Sequence, residues 1–190
     1  MIIWGGVDPG GRYNPATNSW SGMTSVNEPN TRNEHVTVWT GSEMIVWGGN
    51  IFSMPYDDGG RYNPTTDTWT PTSLNNPPQP RERGADAVWT GTEMIVWGGC
   101  VEFGCTTYLN DGGRYNPVTD SWVATSMSGA PSPRSTNLAW TGVEMVAWGG
   151  MGVTGGLYNP QTNSWRAMNT ANAPFDRNDH TAIWTGQEFI

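Results

Sequence analysis

Two cysteines are the side chains in this sequence with the clearest chemical potential. Cys100 and Cys105 share one segment, and no cluster of Cys or His surrounds them. Because a structural zinc site requires four ligands, no metal site is predicted. The pair could form a disulfide that pins its loop in an exported protein, with two free thiols as the alternative.

Four arginines recur at one spacing from a proline. They form the pairs Pro29 and Arg32, Pro78 and Arg81, Pro131 and Arg134, and Pro174 and Arg177. A ring of four guanidinium groups could bind a carboxylate or a sugar, because each group donates several hydrogen bonds in one plane. Recurrence in every copy favours the alternative, in which each arginine ties its loop to a neighbouring acid or carbonyl group.

The two histidines follow two of these arginines, in the segments RNEH and RNDH that contain His35 and His180. The matching positions in the other copies hold Gly84 and Asn137. We expect these histidines to form hydrogen bonds at the start of a strand rather than to catalyse a reaction. No catalytic residue is therefore predicted.

The charge balance limits the partners of the chain. Its nine basic residues are all arginines, and 17 acidic residues give a net charge of -8. Nucleic-acid binding depends largely on cationic side chains, so no nucleic-acid partner is predicted. No apolar run approaches the ~20 residues that cross a bilayer, so no membrane insertion is predicted. The visible N-terminus also lacks the pattern of a signal peptide.

An internal repeat supplies the elements that must position these residues. The block WTGSEMIVWGG at 39–49 returns in variants at 89–99 and 140–150, and begins again at 184–190. A second block, GGRYNPATNSW, occurs in variants at 10–20, 59–69, 112–122 and 155–165. Gly41 in the first block can take the positive φ of a tight hairpin turn, and the second turns through Pro and Asn or Asp. Two hairpins predict one antiparallel sheet, with strands a to d, per ~50 residues.

A Gly pair followed by a spaced Tyr and Trp is the signature of kelch repeats. It occurs at Tyr13 and Trp20, Tyr62 and Trp69, Tyr115 and Trp122, and Tyr158 and Trp165. The sequence resembles bacterial kelch-repeat proteins of the galactose-oxidase central-domain superfamily over essentially its whole length. The resemblance implies an all-β fold, a β-propeller of kelch-type four-stranded antiparallel blades, with four blades' worth in this chain. All twelve tryptophans are expected to pack between blades.

We predict one kelch-repeat propeller domain over residues 1–190. Its parts are strands b to d of the first blade at 1–22, blades at 33–72, 84–125 and 135–168, and strand a with the start of strand b at 179–190. The last strand a could join the N-terminal strands and close a four-bladed ring. Alternatively, the chain is a window from a larger propeller, which we favour because natural termini rarely fall within a strand.

The loops between strands b and c, and between strands d and a, differ in every copy and lie at one end of the blades. Rigid scaffolds usually bind through such variable loops. The two long b–c loops carry the aromatic and acidic candidates Phe52, Tyr56, Asp57, Asp58, Glu102, Phe103, Tyr108 and Asp111. Together with the four arginines, these residues are predicted to contact a protein or carbohydrate partner. The turns at the other end are nearly identical and are interpreted as structural.

We therefore predict a non-catalytic binding or interaction scaffold without a cofactor. We expect it outside the cytoplasm, as a secreted, periplasmic or cell-surface protein. The alternative is a fragment of a propeller enzyme, of the copper-radical oxidase or sugar-modifying type, with its active residues outside this chain. The resemblance implies that a copper site would need two Tyr, two His and a Cys cross-linked to a Tyr. That set cannot be assigned here, because four of the tyrosines belong to the repeat scaffold.

Overall fold

The computed structural model describes residues 1–7, 10–102, 104–150, 154–175, 177 and 180–190. Regular structure in these residues consists of β-strands. Blade 1 contains β1 (Ile2–Ile3), β2 (Gly11–Asn14) and β3 (Ser19–Gly22). Blade 2 contains β4 (Val36–Trp39), β5 (Met44–Trp47), β8 (Gly59–Asn63) and β9 (Thr68–Pro71), with a separate hairpin of β6 (Asn50–Ile51) and β7 (Met54–Pro55) in its b–c loop.

The remaining two blades repeat the same order of four antiparallel strands. Blade 3 contains β10 (Arg83–Trp89), β11 (Met94–Cys100), β12 (Gly112–Asn116) and β13 (Ser121–Ala124). Blade 4 contains β14 (Asn137–Trp140), β15 (Met145–Trp148), β16 (Gly155–Asn159) and β17 (Ser164–Ala167). The predicted all-β fold with four-stranded antiparallel blades is therefore confirmed.

The first hairpin of each blade depends on the glycine of its turn. Gly41, Gly91 and Gly142 have φ values of 104°, 101° and 97°, a region that favours glycine because it carries no Cβ. The strand that follows is buried at every position from Met44 to Trp47 in blade 2, as it is in the corresponding strands of blades 3 and 4. A continuous apolar strand is thus covered on both faces.

The second hairpin pairs the signature tyrosine with the signature tryptophan. Tyr62 lies directly opposite Trp69 in the register of β8 and β9, and their ring centroids are 5.1 Å apart. The hydroxyl of Tyr62 donates to Asp67 Oδ1 at 2.6 Å. Burial, followed by this hydrogen bond, raises the pKa of Tyr62 to about 12. The tyrosine therefore stays protonated and fastens the c–d turn.

Indole rings join consecutive blades in a regular manner. The strand-b tryptophan of each blade packs on the strand-d tryptophan of the next, in the pairs Trp4 and Trp69 at 5.4 Å, Trp47 and Trp122 at 5.3 Å, and Trp97 and Trp165 at 5.1 Å. Close approach also requires glycine in strand c, since a Cβ on Gly113 would lie 2.5 Å from Pro78 Cγ. The predicted stacking of blades through indole rings is thus present at three successive interfaces.

The expectation that all twelve tryptophans pack between blades is wrong. The strand-a tryptophans are not fully buried, and Trp39 retains 49% of its exposed area. Trp20 in blade 1 is 56% exposed, because no strand-b indole covers it in this chain. The indoles that retain 9% or less of their exposed area all belong to strands b and d of blades 2 to 4.

The blades do not close into a four-bladed ring, which was one of the two arrangements considered from the sequence. Strand β1 pairs with β2, and in the described residues no strand near 180–184 joins β1. Trp184 instead forms an isolated bridge with Phe189. The blades form an open series in which β10 lies against both β4 and β14, so the strands a of successive blades are neighbours.

Candidate functional site

A polar cavity of about 510 Å³ lies where the strands a of blades 2, 3 and 4 begin. We call it the axial pocket and define it by the residues Glu34, Arg83, Asp86, Tyr108, Ser135 and Asn137. These residues come from three d–a loops or strands a and from the long b–c loop of blade 3. The pocket therefore opens at the end that carries the variable loops, where sequence comparison predicted the binding surface.

Asp86 is the acid that the fold holds most firmly in this pocket. Its carboxylate accepts hydrogen bonds from the backbone N–H groups of Ala87 at 2.7 Å and Leu138 at 2.8 Å, and the second bond crosses to strand a of blade 4. Burial raises the pKa of this carboxyl group, although the two hydrogen bonds oppose the shift. Asp86 thus joins two blades and shapes the floor of the pocket.

Arg83 supplies the pocket with an exposed guanidinium group. Among the described residues, its side chain forms no hydrogen bond or ion pair. Glu34 is also exposed, and its φ of 57° is uncommon for a residue other than glycine. The rim therefore combines one cation and one anion whose hydrogen-bonding groups are accessible from solvent.

The b–c loop of blade 3 is closed by its two cysteines. The Sγ atoms of Cys100 and Cys105 are 2.07 Å apart, which is a disulfide bond, and Cys105 lines the axial pocket. Glu102 accepts hydrogen bonds from the hydroxyl of Thr106 and the backbone N–H of Thr107. The Thr106 hydroxyl is the main cause that lowers the pKa of Glu102. This predicted binding residue therefore caps its own loop.

Three of the four arginines predicted to face a ligand are buried. Arg32, Arg81 and Arg134 retain at most 1% of their exposed area. Each donates through Nη1 to the carbonyl of the glycine that follows the strand-b tryptophan, namely Gly48 at 3.1 Å, Gly98 at 2.7 Å and Gly149 at 3.1 Å. This arrangement ties each d–a loop to the b–c loop of its own blade. A ligand role for these residues stays a prediction, and it would require them to leave these partners.

The backbone of the same arginines also joins neighbouring blades. A glycine N–H of one blade donates to the arginine carbonyl of the next, in the pairs Gly6 to Arg32 at 2.9 Å, Gly49 to Arg81 at 3.0 Å, Gly99 to Arg134 at 2.9 Å, and Gly150 to Arg177 at 3.0 Å. The fourth arginine, Arg177, is exposed and donates through Nε to the carbonyl of Phe175 at 3.2 Å. The repeated spacing from proline thus marks a joint between blades.

The structure brings several predicted acids and aromatic residues to these arginines. Asp58 forms an ion pair with Arg32 at 2.7 Å, and Asp111 forms one with Arg81 at 2.9 Å. The guanidinium of Arg32 also lies 4.2 Å from the ring centroid of Tyr56. These residues form the anchors of the loops.

Other predicted binding residues lie apart from this network. Phe52 is 87% exposed beside the β6–β7 hairpin. Asp57 is exposed, and its carbonyl accepts a hydrogen bond from the indole of Trp47 at 3.1 Å. Tyr108 lines the axial pocket, and Phe103 falls outside the described residues. Of these candidates, Tyr108 is the one among the described residues that lines the pocket.

Among the described residues, the two histidines pack against indoles, and the Nδ1 atoms of both are buried without a hydrogen-bond partner. His35 meets Trp4 edge to face at 5.0 Å, and His180 meets Trp148 in the same way at 5.2 Å. Burial, followed by the nearby Arg32, lowers the pKa of His35. Strand register places Val36, Asp86 and Asn137 at one position, each opposite a strand-b tryptophan. The residues that correspond to His35 are therefore Ala85 in blade 3 and Thr136 in blade 4. The expected correspondence with Gly84 and Asn137 was wrong by one residue in each blade.

Arg83, Asp86 and Glu34 were not among the predicted site residues, because they lie outside the long b–c loops. The available signal was a departure from the repeat, since Arg83 is a second arginine placed just after Arg81. Among the residues that the structure describes, no group of three or more His, Cys, Asp or Glu could hold a metal ion. The same residues contain no helix that is long and apolar enough to span a bilayer.

Comparison with known families agrees with the geometry of the blades. The model of the KLHDC2/KLHL20/DRC7 Kelch-repeats domain matches residues 1–190. A comparison with curated proteins finds no match. The family match covers every blade described above, including the three interfaces formed by stacked indoles. The chain therefore belongs to the kelch-repeat family of β-propellers.

Proposed function

We propose that this chain is an interaction scaffold that holds a segment of a partner protein in the axial pocket. Kelch-repeat domains generally mediate protein interactions, so the new element is the place and the chemistry of contact. The supporting observation is Arg83, an exposed guanidinium without a partner among the described residues, in a cavity of about 510 Å³. Cavities of this size accommodate a few side chains of a bound segment.

The hydrogen-bonding groups of the pocket suit a peptide backbone. Arg83 can donate to a carbonyl or carboxylate oxygen, Glu34 can accept from an N–H group, and Ser135 and Asn137 can do both. Tyr108 adds an amphipathic ring of the kind that is enriched at protein interfaces. A segment with mixed polar and acidic side chains would therefore find a complementary group for most of its polar atoms.

The disulfide favours a location outside the cytoplasm as part of the same proposal. Disulfides persist in oxidising compartments and are rare where thiols are kept reduced. The Cys100–Cys105 bond lies in the loop that contributes Tyr108 to the pocket. Thiol trapping in the native cells should find both cysteines oxidised, whereas two reactive thiols would contradict the proposed location.

Selection of peptides tests the proposed contact directly. The purified chain would be used to select binders from a phage-displayed library of random peptides, and affinities would be measured by fluorescence anisotropy. Arg83→Ala should weaken the selected peptides about tenfold or more, because a hydrogen bond to a charged group contributes ~1.5 to 3 kcal/mol. Arg166→Ala is the matched control, since Arg166 is also exposed but pairs with Glu144 on blade 4.

The outcomes separate the proposal from its alternatives. Equal binding by wild type and Arg83→Ala would show that the peptides bind elsewhere. If no peptide is enriched and an immobilised glycan binds in an Arg83-dependent manner, the loop end is a carbohydrate site instead. Loss of binding in both arginine variants would show that the effect is one of general charge.

A further inference from the structure

Two cavities at the opposite end of the blades share the same construction. One lies between blades 2 and 3 with a volume of about 460 Å³, and the other lies between blades 3 and 4 with about 750 Å³. We call them the turn-end pockets, and their shared features are an indole, an arginine and a glutamate. These residues are Trp89, Arg61 and Glu43 in the first pocket, and Trp140, Arg114 and Glu93 in the second.

The remaining walls also correspond residue by residue. Thr40 and Asn116 of the first pocket have Thr90 and Asn159 as counterparts in the second. Each pocket is built from the a–b turn and strand c of one blade and from strand a and the c–d turn of the next. The repeat therefore produces the same cavity twice, at an end that the sequence suggested was only structural.

The indoles of these pockets differ from those that join the blades. Trp97 and Trp47 in strand b retain at most 1% of their exposed area, so their faces are fully used by packing. Trp89 and Trp140 are only partly buried and form cavity walls. Each turn-end pocket thus presents an apolar, planar surface to solvent.

The arginines leave hydrogen-bonding capacity free beside these indoles. Arg61 Nη1 donates to the carbonyl of Pro117 at 2.5 Å, and Arg114 Nη1 donates to the carbonyl of Pro160. The Nη2 atoms of both arginines form no hydrogen bond in the described part of the chain, whereas the Nε atoms are buried and out of reach of a ligand. Arg61 and Glu43 are 3.7 Å apart, as are Arg114 and Glu93, which is an ion pair too long for a strong hydrogen bond.

The paired arginine and glutamate of each turn-end pocket favour a neutral ligand. Because the paired arginine and glutamate charges largely offset each other, an ion of either sign gains little net attraction in either pocket. A neutral ligand with hydroxyl groups can donate to the carboxylate and accept from the guanidinium. An apolar ring face would then cover the indole.

We propose that each turn-end pocket binds a neutral hexopyranose, with its C–H face on Trp89 or Trp140 and its hydroxyl groups on the paired arginine and glutamate. These sites lie at the opposite end from the axial pocket and do not depend on the proposed function. Two equivalent sites on one rigid scaffold would bind a glycan chain or a glycosylated surface by avidity. We expect no third site at the corresponding place beside blade 4. There, Leu157 stands at the position of the arginine, and Arg166 forms an ion pair with Glu144 at 2.6 Å.

Indole NMR signals provide a direct test. The chain labelled with ¹⁵N would be titrated with glucose, galactose, mannose and N-acetylglucosamine, with the acyclic polyol sorbitol as the control ligand. At least one hexopyranose should shift the Nε1–H signals of Trp89 and Trp140 in a saturable manner, whereas sorbitol should not. Trp89→Phe and Trp140→Phe assign the signals, and each should weaken binding only at its own pocket, by about tenfold.

Each turn-end pocket serves as a control for the other. In Trp89→Phe, an unchanged response of Trp140 shows that the blades remain folded. If either Trp variant fails to fold, Arg61→Gln and Arg114→Gln test the same pockets, with Leu74→Ala at the loop end as a control that should bind normally. The proposal would be overturned if neither Nε1–H signal shifts with any of the four sugars, or if sorbitol shifts both signals equally.

Discussion

The indole of Trp97 in blade 3 lies 5.1 Å from the indole of Trp165 in blade 4, centroid to centroid. Trp97 retains no exposed area, and Trp165 retains 9%. Tyr158 lies opposite Trp165 in the sheet and extends the stack, with its ring centroid 5.1 Å away. A cluster of three aromatic rings therefore carries the contact between two blades.

Truncation of Trp97 should separate blades 3 and 4. Trp97→Ala is expected to lower the free energy of unfolding by about 3 to 5 kcal/mol, because a buried tryptophan leaves a large cavity. Trp20→Ala is the matched control, since this indole is 56% exposed and should cost about 1 kcal/mol or less. Urea unfolding followed by circular dichroism measures both values, and equal losses would contradict the stacking account.

Repeat periodicity explains why so much of the fold could be predicted. Hairpins such as that of Gly41 are local, so their turn residues and apolar strands are visible in the sequence. The burial of each tryptophan cannot be read from its local sequence, because the blade that covers it lies ~50 residues away along the chain. Trp20 and Trp122 occupy the same position of the repeat, yet Trp20 is 56% exposed and Trp122 is 6% exposed.

The candidate site was harder to predict than the scaffold for the same reason. The axial pocket gathers Glu34, Arg83 and Asn137 from three different blades, and no spacing along the chain reveals that meeting. Loop length also misled the comparison of repeats, since Ala85 rather than Gly84 corresponds to His35. The variable loops lie at the end of the blades where the axial pocket opens, but their sequences do not reveal the residues that line it.

Removal of a buried arginine should be far more costly than removal of an exposed one. Arg81 is 1% exposed and joins Gly98 to Asp111, so Arg81→Gln leaves the acid and the carbonyl without their donors. We expect a loss of about 3 kcal/mol or more in the free energy of unfolding. Arg177→Gln should change it by about 0.5 kcal/mol, as is usual at exposed positions. Similar losses in chemical denaturation would show that burial of Arg81 does not stabilise the fold.

The disulfide should stabilise the loop beside the axial pocket. Titration with a thiol reagent should find no free thiol in the denatured chain before reduction and two after it. The double variant Cys100→Ala, Cys105→Ala should lose about 2 kcal/mol, the amount that loop closure gives for so short a loop. Reductant should destabilise the wild type and leave the double variant unchanged. Two reactive thiols before reduction would refute the bond.

Asp86 should make stability depend on pH in a direction opposite to that of most acids. Burial raises the pKa of its carboxyl group above the unfolded value, which is ~3.9. Between these two values the folded state binds more protons than the unfolded state, so the free energy of unfolding falls as pH rises. Glu144 behaves oppositely, because its hydrogen bonds to Arg166 lower its pKa.

Comparison of wild type with Asp86→Asn isolates this contribution. The stability of the wild type relative to the variant should decrease as pH rises from about 4 to 7, because only the wild type must bury a charge as the carboxyl group ionises. Glu144→Gln is the control, because Arg166 lowers the pKa of Glu144 and the stability of the wild type relative to this variant should therefore change in the opposite direction. Thermal unfolding across this pH range provides the measurement. An advantage of the wild type that grows with pH would mean that the hydrogen bonds from Ala87 and Leu138 outweigh the cost of burial.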